Sequence, residues 1–184
     1  LGEHFLEDET VIVAIIDAAD LQPHDTVVEV GPGRGALTGR LVEGAVRVLL
    51  LEYDQELADS LAEKYDSIPN VRVMHADARE FGSDSDPWLV ESDYKVVANL
   101  PYYAASPITR NFLESTRKPE SMVIMVQREV ADDMSAEPGD MSLLSLAVQI
   151  YATTEHVVEA PPECFNPPPK VQSKVIAIEP FSSD

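Results

Sequence analysis

Two kinds of hydrophobic pattern alternate along the chain. Short runs of consecutive apolar and often β-branched residues are typical of buried strands, and they predict strands at 26–30, 46–51, 71–76, 94–98 and 122–126. Between these runs, apolar residues recur every three or four positions, which predicts amphipathic helices at 11–19, 36–42, 55–65, 106–113, 128–134 and 142–151. Near the end of the chain, 155–159 and 171–178 predict a closing, hairpin-like pair of strands.

Strands that alternate with helices favour a parallel, doubly wound α/β sheet, to which the two late strands add an antiparallel edge. Residues 1–180 are expected to form one domain, followed by a short tail at 181–184. Asp8 or Thr10 is expected to cap the first helix. Ser106 is expected to cap the helix after the fourth strand, with Pro107 at its first position.

The fourth strand ends in a group of residues suited to gripping a flat ligand, Asn99-Leu100-Pro101-Tyr102. Ligands of open α/β sheets bind outside the carboxyl ends of the strands. There an Asn amide offers one acceptor and two donors, which match the edge of a nucleobase or an amide. Tyr102 offers a ring face for stacking. The plain alternative is a strand-to-turn junction with a surface tyrosine.

A glycine-rich turn with Gly31, Gly33 and Gly35 runs directly from the first strand into a helix. Such a turn holds an anionic or nucleoside ligand over a helix N-terminus. Glu52 ends the next strand, where a carboxylate accepts both hydroxyls of a ribose. These residues serve NAD and S-adenosylmethionine equally well.

Residues at the end of the third strand favour one of these two cofactors over the other. Asp77 and Ala78 follow that strand, where a carboxylate accepts from an adenine amino group. The turn, which contains Pro32, is also tighter than a pyrophosphate cradle, and no Ser-Tyr-Lys or His-Arg constellation for hydride transfer is present. S-adenosylmethionine is therefore the favoured cofactor.

Composition limits the partners. The 184 residues carry 33 acidic and 13 basic side chains, a net charge of −20 that argues against a polyanionic partner. Several cations nevertheless lie in the second half of the chain, and Arg110, Arg128 and Lys170 are candidates for RNA phosphate contacts. An acidic surface adapted to high salt is the other explanation of the charge.

The same composition excludes several kinds of site. The single cysteine, Cys164, excludes an internal disulfide and any cysteine-based zinc site, and the histidines lack ligand spacing, so no metal is expected. No apolar run approaches the length of a membrane span. A cytoplasmic protein that acts as a monomer, without a membrane partner, is expected.

Taken together, the motifs resemble a known family, the ribosomal RNA adenine N6,N6-dimethyltransferases. The resemblance is to the small-subunit branch, which is related to the erythromycin-resistance methyltransferases. It runs the length of the chain and rests on the order and spacing of these segments: 2–6 (Gly-Glu-His-Phe-Leu), 28–38, Glu52, Asp77-Ala78, Asn99-Leu100-Pro101-Tyr102 and 165–175.

The resemblance implies a class I (Rossmann-like) methyltransferase fold, with a mostly parallel seven-stranded sheet and an antiparallel edge strand. It implies S-adenosylmethionine as the donor, two successive methylations of adenine N6, and ribosomal RNA or the small ribosomal subunit as the partner. The predicted cofactor-binding residues are His4, Leu6, Glu29, Gly31, Gly33, Gly35, Glu52, Tyr53, Asp77, Ala78 and Asn99.

Three departures from the family stand out. The resemblance implies a small helical domain after about residue 180, which residues 1–184 do not include. Glu3 stands where the family usually has Gln beside the cofactor. The acidic balance is unusual because RNA enzymes are mostly basic.

The chemistry of adenine gives the predicted catalytic residues Asn99, Leu100, Tyr102 and Phe165 their roles. The N6 amine is a poor nucleophile because its lone pair is delocalised into the ring. Accepting both N6 hydrogens, with the Asn99 side-chain oxygen and the Leu100 carbonyl, favours a more tetrahedral nitrogen. Tyr102 and Phe165 are expected to clamp a base flipped out of its stack, although a Phe in a proline-rich loop also serves as a core residue.

Two other functions stay open at this point. An Asn-x-Pro-Tyr segment also serves methyltransferases that act on DNA adenine or on protein glutamine, but those usually carry Pro rather than Leu after the Asn. A domain of this fold can also be a non-catalytic RNA-binding or assembly factor.

Overall fold

The computed structural model describes residues 3–182. Gly2 of the first motif and the last two residues of the predicted tail lie outside the described residues. The strands are β1 (Phe5–Leu6), β2 (Thr26–Val30), β3 (Arg47–Glu52), β4 (Val71–His75), β5 (Tyr94–Asn99), β6 (Ser121–Gln127), β7 (Ala152–Ala160), β8 (Phe165–Asn166) and β9 (Ser173–Pro180). The α-helices are α1 (Glu9–Ala19), α2 (Thr38–Gly44), α3 (Gln55–Tyr65), α4 (Pro87–Glu91), α5 (Ala105–Glu114), α6 (Arg128–Met134) and α7 (Leu143–Gln149).

Seven of the strands form one sheet in the order β4-β3-β2-β5-β6-β9-β7. Strands β2 to β6 are parallel to one another, and β9 runs antiparallel to both β6 and β7. The mostly parallel seven-stranded sheet is therefore confirmed. The antiparallel strand, however, is not the outermost one, because β9 inserts between β6 and β7 and leaves β7 at the edge.

Apolar side chains of the sheet alternate between two cores, one on each face. In β2, Val28 and Val30 face the core that contains α5, whereas Val27 faces the core that contains α1. Because both faces are covered, the central strands are apolar almost throughout, which is the pattern that predicted them. Their carboxyl ends are held rigidly at one edge of the sheet.

Helix starts follow the expected chemistry with two exceptions. Asp8 caps α1 by accepting from the Val11 N–H. Helix α5 begins at Ala105 behind a cap at Ala104, because the turn closed by the Ala104 N–H and the Pro101 carbonyl leads directly into it. The predicted Ser106 cap is therefore wrong, and Ser106 lies inside the first turn. Helix α2 starts at residue 38 rather than 36, because residues 33–37 belong to the glycine-rich turn.

The two shortest strands form a separate sheet of their own. Strand β1 pairs antiparallel with β8, so that Phe5 lies opposite Asn166 and Leu6 opposite Phe165. This pairing carries the N-terminal segment across the carboxyl edge of the main sheet, next to the glycine-rich turn. Among residues 3–182, no helix is long and apolar enough to cross a membrane.

Candidate active site

The glycine-rich turn is packed directly against the end of β5. The Gly31 N–H donates to the Leu51 carbonyl at 2.9 Å, and Gly31 has a φ of +65°. A Cβ at Gly31 would lie 3.3 Å from the backbone oxygen of Asn99. Glycine is therefore required here both for the left-handed backbone and for the close approach of the two loops.

Glu52 fastens the turn from the neighbouring strand. It is 5% exposed, and its two oxygens accept from the Gly33 and Asp54 N–H groups, each at 3.0 Å. A carboxylate has about four acceptor positions, so each oxygen keeps one for a further donor. The position predicted for ribose binding is thus a buried acceptor that is already oriented by the backbone.

Glu29 lies beneath the turn and is 2% exposed. The Thr38 hydroxyl donates to it at 2.6 Å, which ties β2 to the first residue of α2. Burial raises the pKa of Glu29 to about 8, and the negative charge of Glu52 adds to the rise. The carboxyl is therefore mostly neutral at pH 7 and supports the turn from below, while a direct contact with the cofactor stays a prediction.

The mouth of the turn is acidic. Burial together with the nearby charges of Glu52 and Asp54 raises the pKa of Glu3, and the charge of Arg34 only partly offsets this rise. Three neighbouring carboxylates beside a glycine turn suit a ligand that carries positive charge, such as a sulfonium. Among the described residues, no cluster of potential metal ligands is present.

Asp77 is engaged by a neighbour. The guanidinium of Arg79 pairs with it, with Nη2 to Oδ2 at 2.6 Å, and this hydrogen bond holds the pKa of Asp77 below its usual range. The Arg79 guanidinium also lies 6.0 Å from the ring of Tyr53, which is 59% exposed. An adenine amino group would share Asp77 with Arg79 or displace it.

Next to Asp77, a cavity of about 660 Å³ opens between β4 and the loop that follows it. Met74 and Phe81 line it with Asp77, so a planar ring has room beside the carboxylate. Ala78 is buried in the adjoining core, and its carbonyl accepts from the Asn111 amide at 3.0 Å.

Two acceptors at the end of β5, on the consecutive residues Asn99 and Leu100, are unused. Among residues 3–182, no hydrogen bond engages the Asn99 side-chain amide or the Leu100 carbonyl. The backbone itself is fixed, because the Leu100 N–H donates to the Met125 carbonyl at 3.0 Å and the Leu100 side chain is buried. This arrangement offers two oxygens to an amine without cost to the fold.

Tyr102 is held at both ends of its side chain. Its backbone belongs to the turn between Pro101 and Ala104, and its hydroxyl lies 2.9 Å from the Ser173 hydroxyl. The His4 ring stacks nearby, with the two centroids 6.3 Å apart and the planes 23° apart. Sequence reasoning missed Ser173, although it lies within the 165–175 segment that carries the resemblance.

The N-terminal segment joins the site through β8. His4 Nδ1 is hydrogen-bonded to the Pro167 carbonyl at 2.7 Å, and the Phe5 ring lies against Gly33. Leu6 and Phe165 are 4% and 5% exposed and belong to the core that contains α1. Because the Phe165 ring is buried, a clamp formed with Tyr102 requires that ring to move, and its clamping role stays a prediction.

The cations predicted to bind RNA are mostly neutralised. Arg110 pairs with Glu114 at 2.7 Å on α5, and Arg128 lies 3.5 Å from Asp132 on α6. Lys170 is exposed, and no ion pair joins it to another described residue. Of these cations, Arg128 lies beside the start of β9, because its N–H donates to the carbonyl of Gln172, the residue before Ser173, at 2.9 Å.

Comparisons with known proteins identify the family of the chain. The family described as "Ribosomal RNA adenine dimethylase" matches residues 1–184. A "Ribosomal RNA small subunit methyltransferase A" from Dehalococcoides mccartyi (strain CBDB1) is 47% identical over 180 residues, which cover 97% of this chain and 61% of the relative. A protein of the same name from Parasynechococcus marenigrum (strain WH8102) is 41% identical and covers 100% of this chain and 63% of the relative. The chain thus spans less than two thirds of these curated relatives.

Solved structures show the same similarity. A dimethyladenosine transferase from Plasmodium falciparum superposes with a TM-score of 0.84 at 28% identity, over 97% of this chain and 64% of that one. The 23S rRNA methyltransferase ErmE gives a TM-score of 0.84 at 31% identity, over 97% of this chain and 70% of that one. With a family match over its whole length and these relatives, the chain belongs to the ribosomal RNA adenine dimethylase family.

Proposed function

We propose that the protein transfers methyl groups from S-adenosylmethionine to N6 of an adenine in ribosomal RNA of the small subunit. The observation that carries the proposal is the pair of free acceptors at the end of β5, the Asn99 amide oxygen and the Leu100 carbonyl oxygen. An adenine amine has two hydrogens, and these two oxygens match them. The names of the curated relatives support the small subunit as the partner.

The residues present fit the proposed cofactor. Gly31 lets the turn approach the end of β5 closely, Glu52 keeps acceptor positions for ribose hydroxyls, and the carboxylates beside the turn suit a sulfonium. Asp77 is the proposed acceptor for the adenine amino group. When bound, S-adenosylmethionine would supply an electrophilic methyl group. The N6–C bond would form as the S–CH3 bond breaks, S-adenosylhomocysteine would leave, and N6 would lose one proton to water.

The chain's own contribution is orientation. The acceptors at Asn99 and Leu100 turn the N6 lone pair out of the adenine ring and towards the glycine-rich turn. Tyr102 supplies a stacking face for the flipped base, worth about 1–3 kcal/mol. Holding the two reactants in line lowers the barrier through orientation, and neither a metal nor a strong base is needed for it.

The proposal extends to the organisation of the protein. Residues 1–180 are the catalytic domain, and they work as a monomer in the cytoplasm. The similarity to a dimethyladenosine transferase supports two methylations of the same nitrogen. The pocket must then accept N6 that already carries one methyl group.

Methyl transfer from labelled cofactor tests the proposal. Small ribosomal subunits that lack the modification are compared with naked DNA and with a glutamine-containing protein, and mass spectrometry counts the methyl groups on each adenine. We expect N6,N6-dimethyladenine in the ribosomal RNA alone. Methylation of the DNA or of the protein would show that ribosomal RNA is not the substrate. RNA binding without any methyl transfer would indicate a non-catalytic assembly factor.

Asn99→Ala identifies the site within the same assay. An interaction made mainly in the transition state affects kcat rather than ground-state binding, so we expect kcat to fall by at least about 10²-fold with the cofactor Kd nearly unchanged. Asn70→Ala is the matched control, because the Asn70 amide bonds to the Ala45 carbonyl at the opposite edge of the sheet. Parent-level dimethylation by the Asn99 variant would show that this motif is not the active site.

A further inference from the structure

We propose that Ser173 is a positioning residue for the substrate base, acting through the Tyr102 hydroxyl. The inference rests on the proposed function, because it assigns Tyr102 the role of stacking on the flipped adenine. What it adds is a residue on a distant strand that sets the position of that ring.

Ser173 is unusually well placed to hold a partner still. It is the first residue of β9 and has no solvent exposure. It lies opposite Gln127 on β6 and Ala160 on β7, so its backbone is paired on both sides. Its hydroxyl lies 2.9 Å from the Tyr102 hydroxyl, a normal distance for a hydrogen bond between hydroxyl groups.

The antiparallel direction of β9 explains how this contact arises. Parallel strands end at the carboxyl edge of the sheet, whereas β9 begins there. Asn99 lies opposite Met125 on β6, and Ser173 lies opposite Gln127, two residues further along the same strand. The start of β9 therefore faces the catalytic turn from across the end of β6.

The bond fixes the position of a ring that would otherwise swing about the Cα–Cβ bond. The backbone turn holds the Tyr102 Cα, and Ser173 holds the phenol oxygen, so the side chain is anchored at both ends. Stacking on a base depends on where the ring lies. Removing either hydroxyl leaves the other without this partner and lets the side chain swing, so the stacking position is no longer fixed before the base binds.

The hydrogen bond to Ser173 changes the effect expected of Tyr102→Phe. Stacking alone predicts a mild effect, because the ring face is retained. With a hydrogen bond to a buried serine, Tyr102→Phe and Ser173→Ala should instead resemble each other. Each should raise the KM for RNA by about three- to tenfold, with kcat and the cofactor Kd nearly unchanged.

A double-mutant cycle tests the inference in the methyl-transfer assay. If the two residues act through one bond, the double variant should be no worse than either single variant. Ser173→Thr keeps a hydroxyl and should retain more RNA affinity than Ser173→Ala. Ser83→Ala is the matched control, since the Ser83 hydroxyl is also buried but donates to the Arg117 carbonyl at 3.1 Å. It should lower stability without changing the KM for RNA.

The outcomes separate this inference from the proposed function. A parent chain that methylates no RNA would overturn both. An active parent combined with an unchanged KM in Ser173→Ala, or with independent effects in the double variant, would overturn the positioning role alone. If Ser173→Ala does not fold, Tyr102→Phe probes the same bond from its more exposed end, and an unchanged KM there would have the same meaning.

Discussion

Glu52 combines two tasks in one buried carboxylate. It orients the glycine-rich turn through the Gly33 N–H and the start of α3 through the Asp54 N–H. The acceptor positions that remain are the ones proposed for the ribose. Removing the side chain would therefore leave the two backbone N–H donors unpaired and would also remove the proposed ribose contact. A loss of cofactor affinity alone does not show which of these two effects caused it.

A truncated ligand separates them. We expect Glu52→Ala to bind S-adenosylhomocysteine about 10- to 100-fold more weakly than the parent, as for loss of a hydrogen bond to a charged group. The parent should also bind the 2′-deoxy analogue more weakly than S-adenosylhomocysteine, while the variant should not distinguish the two. Calorimetric titration measures all four affinities. Equal sensitivity of parent and variant to the missing hydroxyl would rule out the ribose contact.

Glu29 makes stability depend on pH in an unusual direction for a carboxyl group. Its pKa is raised to about 8 in the folded protein, mainly by burial, whereas the ordinary value in an unfolded chain is 4.5. Between these values the folded state retains a proton that the unfolded state loses. Stability from this group is therefore complete below pH 4.5 and is lost as the pH rises towards 8.

Glu29→Gln should remove this dependence while leaving an acceptor for the Thr38 hydroxyl. Relative to the parent, the variant should gain free energy of unfolding as the pH rises from 4.5 to 8, by at most about 1.4 kcal/mol per pH unit. Urea unfolding at several pH values measures the difference. A constant difference between the two proteins across this range would show that Glu29 is ionised in the folded state.

At the residue scale, sequence predicts side chains whose function is local. Asn99 and Glu52 follow the ends of predicted strands, and a strand end is enough to place them at the ligand edge. Ser173 and Thr38 act through contacts with distant or buried partners, and no spacing along the chain indicates them. The Arg79 pairing with Asp77 was missed for another reason, since a neighbouring arginine two residues away is common and usually solvated.

At the scale of elements, the β1–β8 pair is the feature that closes the site. Its two strands are only two residues long and are separated by most of the chain, so neither has a periodic pattern that predicts it. The five parallel strands are predicted to within one residue at either end, because each is a stretch of at least five residues in which apolar and mostly β-branched or long aliphatic side chains predominate. Long elements can be predicted from their local sequence pattern, whereas two-residue strand pairings are set by tertiary structure.

The Phe5 ring is the part of β1 that touches the glycine-rich turn. It lies 3.4 Å from the position of a Cβ on Gly33, and the Arg34 guanidinium stacks on it with Cζ 4.0 Å from the ring centroid. We expect Phe5→Ala to loosen the turn and to weaken cofactor binding by about two- to fivefold, since a cation–π contact of this kind contributes about 0.5–1 kcal/mol.

Phe181→Ala is the matched control for this prediction. Phe181 is 49% exposed, and its N–H donates to the Tyr151 carbonyl, so its ring is not part of the turn. Calorimetry on the two variants compares the loss of a phenylalanine ring at each place. If both variants bind the cofactor like the parent, the N-terminal segment does not support the cofactor site.

At the scale of the whole molecule, charge opposes the proposed partner. The net charge is −20, and two of the three cations predicted to bind RNA are already paired with carboxylates. A paired arginine contributes little to counterion release, because it must first give up its acid. We therefore expect residues 1–184 to bind the cofactor well but RNA weakly, with measurable affinity only at low salt.

Releasing one arginine tests this electrostatic account. Glu114→Gln frees Arg110 from its ion pair on α5. The control, Glu155→Gln, makes the same change of net charge at an exposed acid that forms no ion pair with another described residue. For single-stranded RNA, we expect Glu114→Gln to steepen the plot of log K against log salt by up to about 0.7, the value for one additional phosphate contact. Glu155→Gln should raise the affinity slightly at low salt without this change of slope.

Fluorescence anisotropy from low to moderate salt measures the affinity and the salt slope of both variants. Tight, salt-insensitive binding by the parent would mean that RNA affinity does not depend on these cations, and equal slopes for the two variants would place Arg110 outside the RNA contact.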